Sequence, residues 1–178
     1  VLHEPEDGRY QALRESWNGS PFKFFVFFQM QAVVVVLFAL PFLAAASRHH
    51  NQFCAWTVAA VATWLVAVAG ETLADRQLAA FRADPGNRGK TCRSGLWAWS
   101  RHPNYFFEWL HWFTYVFLAV GSHLFLLSLA GPVVMLLFLY RVSGIPWTEA
   151  QSLRSRGEDY RQYQQEVSAF FPWPPRRG

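Results

Sequence analysis

Four apolar blocks alternate with short, arginine-rich polar segments along this chain. The blocks cover residues 24–46, 53–69, 106–120 and 124–142. A helix needs about 20 residues to cross the roughly 30 Å hydrocarbon core of a bilayer, so the first block is long enough by itself. The other blocks reach that length when their amphipathic ends are included. The pattern predicts an all-α, polytopic membrane bundle with about four spans, at about 22–46, 53–80, 104–120 and 124–144.

Composition supports a membrane protein. Of the 178 residues, 52% are hydrophobic and 18% are aromatic, which is more than soluble domains carry. Four buried helices in a soluble protein would need a larger polar coat than this chain has. We therefore expect one membrane-embedded domain over residues 1–178, with a polar C-terminal segment at 145–178. The chain begins with valine and a polar stretch, so we also expect it to be part of a larger bundle whose earlier spans it lacks.

The basic residues predict the orientation. Of the 16 lysines and arginines, all except Arg48 fall in segments that four spans would place on one side. The positive-inside rule puts that side, with both ends of the chain, in the cytoplasm. Because arginine greatly outnumbers lysine, we expect a GC-rich genome and a bacterial inner membrane, or the endoplasmic reticulum membrane in a eukaryote.

The most promising chemistry lies where a polar loop enters the third predicted span, at residues 101–105, Arg-His-Pro-Asn-Tyr. Asn104 and Glu108 are one helical turn apart and share a face. Pro103 suits a helix start, and the amides after it could bind an anion beside Arg101. The same residues also fit a simpler role, in which Arg101 anchors to lipid headgroups and pairs with Glu108.

A second polar group, Glu71 and Asp75, has i,i+4 spacing, so the two carboxylates share a face and repel. The basic loop 76–104 supplies the cations that would offset this charge. The group therefore fits either a ligand site or an interfacial salt-bridge cluster.

Two tyrosines, Tyr160 and Tyr163, are spaced i,i+3 in a predicted amphipathic helix over residues 148–167. Such a pair fits an anchor at the membrane interface, or a platform for a planar ring such as nicotinamide or adenine. The histidines and cysteines have no metal-ligand spacing, so we predict no metal site. We expect no nucleic-acid partner, and the sequence leaves the oligomeric state open.

A family resemblance adds to these readings. Residues 95–109, GLWAWSRHPNYFFEW, are similar to the signature of the DUF1295 proteins, the bacterial and microbial branch of the steroid 5-alpha-reductase family. The resemblance extends over residues 6–10, 71–77, 87–93 and 160–175. Two positions depart from the pattern: Phe107 stands where the family usually has glycine, and Glu71 where mammalian reductases have asparagine.

The resemblance implies a polytopic reductase that uses NADPH to reduce a carbon–carbon double bond conjugated to a carbonyl in a steroid or other lipid-like substrate. Asn104 and Glu108 would hold the nicotinamide end and act in catalysis. Tyr10 is the candidate donor to the substrate oxygen, on which negative charge develops. The implied cofactor-binding set is Glu71, Asp75, Arg82, Lys90, Arg93, Arg101, His102, Asn104, Tyr105, Glu108, Tyr160 and Tyr163.

Two other functions compete with the reductase. The isoprenylcysteine and phospholipid methyltransferases, which use S-adenosylmethionine, share Arg-His-Pro-x-Tyr and a later glutamate with Tyr-x-x-Tyr, here Glu149 with Tyr160 and Tyr163. A non-catalytic sterol- or lipid-binding membrane protein is the other. The Asn-Tyr-Phe-x-Glu-Trp continuation and the Glu71/Asp75 pair favour the reductase.

Overall fold

The computed structural model describes residues 14–48, 54–142 and 144–176, and within these ranges the regular structure is helical. The polar segment before the helices includes Tyr10, which lies outside the described residues. The α-helices are α1 Pro21–Ala46, α2 Ala55–Ala83, α3 Pro103–His111, α4 Phe113–Leu118, α5 Phe125–Ser128, α6 Ala130–Leu137, α7 Ile145–Arg156 and α8 Glu158–Glu166. Short 3₁₀ turns occupy Pro85–Asn87 and Gly95–Ala98, and a π-helical turn occupies Phe138–Val142.

Within the described residues, three helical segments are long and apolar enough to cross a membrane: Pro21–Ala46, Ala55–Ala83 and Phe125–Arg156. They overlap the first, second and fourth predicted spans. Large apolar side chains on the first two helices are exposed, including Phe25, Val35 and Leu65. Such surfaces are costly in water and are expected in a bilayer. The fold is that of a helical membrane bundle.

The predicted span 104–120 is not one long helix. It consists of α3 and α4, which meet at Trp112. At this junction the amides of Trp112 and Tyr115 bond to carbonyls only three residues back, the tighter 3₁₀ pattern. Since α3 has nine residues, it measures about 14 Å and is too short to cross a bilayer alone.

The chain divides into two compact units, Val1–Ala39 and Leu40–Gly178. In the first unit, the ring of Trp17 packs edge-on against Phe24 and Phe27, with centroids 5.2 and 5.6 Å away. The second unit contains the polar residues discussed below.

Two glycines in the second unit allow bulky rings to approach a helix closely. The ring of Phe107 in α3 lies directly over Gly70 in α2, where a side chain would overlap with it. Similarly, Gly131 in α6 accommodates the ring of Trp112 beside Pro41. The departure at Phe107 is therefore matched by a glycine on the facing helix.

The C-terminal segment is held against the loop that precedes α3. The Ser100 hydroxyl donates to the Phe170 carbonyl at 2.8 Å, and the Trp173 amide donates to the Trp99 carbonyl at 2.9 Å. Phe170 is buried with Leu139 and Ile145. The predicted helix 148–167 is in fact two helices, because Gly157 adopts φ +56° and ends α7.

Candidate functional site

A cavity of about 270 Å³ opens between the C-terminal part of α2, the loop before α3, the start of α3, and helices α7 and α8. It is lined by Asp75, Leu78, Arg82, Thr91, Cys92, Trp97, Arg101, His102, Asn104, Tyr105, Thr148, Ser152, Arg156, Tyr160 and Tyr163. We call it the main cavity. Its lining combines three arginines with one carboxylate and several aromatic rings, which suits an anionic ligand with a planar part.

The turn Gly95–Ala98 is fixed to α2, and it sets the position of the loop that follows. The Trp97 indole donates to the Ala74 carbonyl at 2.9 Å, and the Leu96 amide donates to the Gln77 side chain at 2.9 Å. Gly95 has φ +60° and lies so close to Gln77 that a side chain would overlap with it. Glycine meets both demands at this position.

Arg101 and Glu149 form a mostly buried ion pair at the back of the main cavity. The Arg101 Nε lies 2.7 Å from Glu149 Oε1, and the two side chains are 11% and 15% exposed. The same guanidinium donates to the Gln164 carbonyl at 2.6 Å, while Gln164 Nε2 donates to Glu149 Oε2 at 2.9 Å. These bonds join the loop, α7 and α8 into one rigid support.

His102 extends this buried network into the cavity wall. Its Nε2 lies 3.3 Å from Glu149 Oε1, and its ring stacks on Tyr105 with centroids 5.4 Å apart and planes 6° from parallel. The Tyr105 hydroxyl is 3.3 Å from that of Thr148. Both rings are therefore held in place before any ligand binds.

Tyr160 and Tyr163 contribute buried rings from α8. The Tyr163 hydroxyl donates to the Trp97 carbonyl at 2.5 Å and lies 3.3 Å from the Ser100 carbonyl. Burial, and then the nearby charge of Glu149, raises the pKa of Tyr160 to about 12. Burial also raises the pKa of Tyr163. Both phenols are neutral at physiological pH.

The side of the main cavity formed by α2 and α3 is more open. Asn104 Nδ2 donates to Asp75 Oδ1 at 3.1 Å, and Asn104 Oδ1 accepts from the Tyr105 amide at 3.0 Å. Asp75 and Arg82 are exposed, and Arg82 forms no ion pair with any described residue. These groups remain available to a ligand.

Of the twelve cofactor-binding residues predicted from the resemblance, eight line the main cavity. They come from three parts of the chain, namely α2, residues 101–105 and α8: Asp75, Arg82, Arg101, His102, Asn104, Tyr105, Tyr160 and Tyr163. Lys90 lines a neighbouring cavity that shares Arg82 with this one.

The three remaining predicted residues line neither of these two cavities. Glu71 lies one helical turn before Asp75 in α2, and Glu108 lies one helical turn after Asn104 in α3. Arg93 is bound to the protein instead: its guanidinium lies 2.6 Å from Glu166 Oε2 and 3.4 Å from Asp159 Oδ1. It packs over the Tyr163 ring, so its role in this structure is to hold α8 in place.

Sequence reasoning missed one stripe of the lining. Thr148, Ser152 and Arg156 all face the main cavity from α7. Their i,i+4 spacing places them on one helix face, which is a signal that could have identified them. The sequence assigns Glu149 a role only in the methyltransferase alternative, whereas in the structure it is the centre of the buried network.

Comparison with known proteins establishes the family. The family model described as "Protein of unknown function (DUF1295)" matches residues 1–167. The chain belongs to this family. No curated protein and no solved structure gives a significant match.

Proposed function

We propose that this DUF1295 protein is an NADPH-dependent oxidoreductase that reduces a carbon–carbon double bond conjugated to a carbonyl in a steroid or other lipid-like substrate. The observation that carries the proposal is the convergence of eight predicted cofactor residues on one cavity. They come from three parts of the chain that are about 20 and 55 residues apart, so their convergence is a property of the fold.

The chemistry of the lining fits a phosphorylated dinucleotide. Arg82 and Arg156 can neutralise phosphate oxygens, Asp75 can accept hydrogen bonds from ribose hydroxyls, and the tyrosine rings offer planar apolar surface. The main cavity of about 270 Å³ adjoins a second one of about 370 Å³. Small-molecule sites measure about 300–1,000 Å³, so two adjacent cavities suit a two-part ligand better than either cavity alone.

Bound NADPH would supply the hydride, and the protein would position it and exclude water. Bonds to the Tyr105 amide and to Asp75 hold the Asn104 side chain in one orientation, and its second N–H and second oxygen lone pair are left for a carboxamide. The buried Arg101–Glu149 pair keeps the cavity wall rigid, which favours preorganised binding. A role for Glu108 at the nicotinamide end and for Tyr10 at the substrate oxygen stays a prediction.

The activity test uses the chain in lipid nanodiscs with a panel of steroid and other enone lipids. NADPH oxidation should depend on the enone, and the product should gain two hydrogens by mass spectrometry. The variant Asp75→Asn should weaken turnover, while Arg154→Gln, an exposed change on α7 that lines neither the main cavity nor the neighbouring one, should not. Failure of every enone to stimulate NADPH oxidation would argue against a reductase.

One observation favours the methyltransferase as a second candidate. Glu149, the glutamate of that alternative, contacts both Arg101 and His102 and lies beside the tyrosines of α8. Thermal unfolding with each cofactor distinguishes the two functions, since a ligand that binds the folded state raises its stability. We expect NADPH to raise the unfolding temperature and S-adenosylmethionine to leave it unchanged. The reverse result would identify a methyltransferase.

A further inference from the structure

A row of four polar side chains runs along one face of α3 and α4, starting at the main cavity. We call it the polar stripe, and its members are Asn104, Glu108, His111 and Tyr115. Their spacings of four, three and four residues place them above one another on a helix surface. All four side chains are half-buried. The polar stripe therefore continues the lining of the main cavity along α3 into α4.

The far end of the polar stripe lies beside the most apolar part of α2. The two segments run antiparallel, since Phe107 lies over Gly70 while Phe117 stacks on Trp56 with ring centroids 6.1 Å apart. His111 is therefore level with the part of α2 between these two residues, which carries no charged side chain. Because α2 is long and apolar enough to cross a bilayer, the imidazole lies at membrane depth. Polar groups at that depth are costly and commonly mark a ligand path.

The protein orients the His111 ring and leaves one of its nitrogens unused. His111 Nε2 lies 3.4 Å from the Tyr115 hydroxyl, whose ring packs on Phe42 with centroids 4.4 Å apart. Nδ1 has no hydrogen-bond partner in the part of the chain that the structure describes. When the Tyr115 hydroxyl donates to Nε2, a neutral imidazole carries its hydrogen on Nδ1. The ring then presents one fixed N–H donor.

The position of this donor suits the oxygen of an enone. His111 follows Glu108 by about one helical turn, and the family resemblance places Glu108 at the nicotinamide end. Only three bonds separate the β-carbon of an enone, which accepts the hydride, from its carbonyl oxygen. A ketone oxygen is also an uncharged acceptor, so it costs less to bury at membrane depth than a phosphate or a carboxylate.

We propose that His111 donates a hydrogen bond to the carbonyl oxygen of the lipid-like enone, and that Tyr115 is a positioning residue that orients the imidazole. The inference rests on the proposed reductase function and adds the part of the site that recognises the substrate. Tyr10, the donor predicted from the sequence, can act at the same oxygen, since a carbonyl accepts two hydrogen bonds.

The contact would act during the reaction as well as in binding. A hydride adds to the β-carbon, the electron pair of the double bond moves towards the carbonyl oxygen, and a proton from water completes the product at the α-carbon. A donor already held at the oxygen stabilises the negative charge that develops there.

The test measures binding without NADPH, using the full chain in phosphatidylcholine nanodiscs. One probe is a 3-oxo-4-ene steroid labelled with carbon-13 at the carbonyl, and the other is the same steroid without the 3-oxo group. We expect the wild type to bind the ketone at least about fivefold more tightly. In infrared difference spectra, the carbonyl stretch of the bound ketone should lie at lower frequency than in empty nanodiscs, because a hydrogen bond weakens the C=O bond.

Four variants locate the donor. His111→Phe should lose the preference for the ketone and return the carbonyl stretch to its frequency in lipid, while His111→Gln keeps an N–H donor and should recover part of both. Tyr115→Phe keeps the ring on Phe42 and should weaken ketone binding about threefold. His123→Phe is the matched control, because His123 is exposed between α4 and α5, and it should behave like the wild type.

Several outcomes would overturn the proposal. Equal affinity of the wild type for the two probes would do so, as would a His111→Phe variant that keeps the shifted stretch or loses both probes equally. If His111→Phe does not fold, Tyr115→Phe decides in its place, and an unchanged ketone preference there counts against the proposal. A wild type that binds the ketone through His111 but oxidises no NADPH would keep this site and remove the reductase function. Enone reduction that His111→Phe leaves unchanged would do the opposite.

Discussion

The two sides of the main cavity use similar residues in opposite ways. On one side, which we call the interlocked side, Arg101, His102, Glu149, Tyr163 and Gln164 bond to one another or to backbone carbonyls. On the other, the open side, Asp75 and Arg82 are exposed, Asn104 bonds to Asp75, and Arg82 has no carboxylate partner among the described residues. Arginine thus stabilises the fold at one position and remains available to a ligand at another.

This difference indicates a division of labour. Buried polar groups must be satisfied within the protein, because leaving one unpaired costs free energy. Exposed groups at a cavity mouth bear no such cost, so selection can keep them for binding. Substitutions on the interlocked side should therefore reduce stability, and those on the open side should reduce affinity.

The largest effect is expected for Arg101→Met. It leaves Glu149 mostly buried without its main partner, which should lower the free energy of unfolding by about 3–5 kcal/mol. The control is Arg161→Met, which breaks the exposed pair with Glu158 and should cost about 0–1 kcal/mol. Thermal unfolding in detergent, followed by circular dichroism, compares the two. Similar unfolding temperatures for both variants would refute the assignment of Arg101 to the interlocked side.

Gly95→Ala should have the next largest effect. At φ +60° an alanine is strained by about 1–2 kcal/mol, and its methyl group would also displace the Gln77 amide that binds Leu96, for a total of about 2–3 kcal/mol. Gly89→Ala has a similar φ of +77° but open space around it, so only the backbone strain applies. The denaturant concentration at the unfolding midpoint should be lower for Gly95→Ala than for Gly89→Ala. Equal midpoints would contradict the packing argument.

Tyr163→Phe removes a buried hydroxyl that donates to the Trp97 carbonyl, which should cost about 1–3 kcal/mol. Tyr105→Phe removes a longer bond to Thr148 at a half-buried position and should cost about 1 kcal/mol or less. The same unfolding assay separates them. A larger decrease in the free energy of unfolding for Tyr105→Phe than for Tyr163→Phe would show that the hydroxyl bonds are misassigned.

On the open side, Arg82→Gln should change the free energy of unfolding by no more than about 0.5 kcal/mol. Its affinity for NADPH should nevertheless fall about tenfold or more, because one charge-assisted phosphate contact is lost. Thermal unfolding and calorimetry on the same preparation measure the stability and the NADPH affinity of the variant, respectively. If Arg82→Gln lowers the unfolding temperature and leaves NADPH affinity unchanged, Arg82 serves stability and its assignment to the open side is wrong.

The smallest effect concerns pH. Partial burial alone would raise the pKa of Asp159, but the hydrogen bond from the Thr91 amide and the nearby charge of Arg93 outweigh it and hold that pKa below its usual value of 3.8. The stabilisation is therefore complete above that value and is lost as the pH falls through the folded pKa. The difference in unfolding temperature between wild type and Asp159→Asn should shrink on acidification. A difference that stays constant into strong acid would exclude ionisation as its source.

Much of the fold follows from hydrophobic length. The predicted spans 22–46 and 53–80 correspond to Pro21–Ala46 and Ala55–Ala83, because long apolar runs have few structural alternatives in a bilayer. The break at Trp112 could not be predicted this way, since it depends on how that ring packs against Gly131 in another helix. The helix end at Gly157, by contrast, is indicated by the sequence, because a glycine that follows a basic last turn commonly ends a helix.

The site was less predictable than the fold. Motif residues such as Arg101 and Asn104 were identified, but the sequence does not separate a cation that binds ligand from one that holds the fold. Arg82 and Arg93 lie in the same basic stretch, and only the position of Glu166 and Asp159 makes Arg93 structural. Such pairings connect residues more than 60 positions apart and depend on tertiary packing.

Titration of NADPH into the wild-type chain in nanodiscs, with calorimetric detection, tests the central claim most directly. We expect one saturable site per chain, with affinity weakened at least tenfold by Arg82→Gln and unaffected by Arg154→Gln. Absence of saturable NADPH binding to the folded protein would contradict the account, and so would binding that Arg82→Gln leaves unchanged.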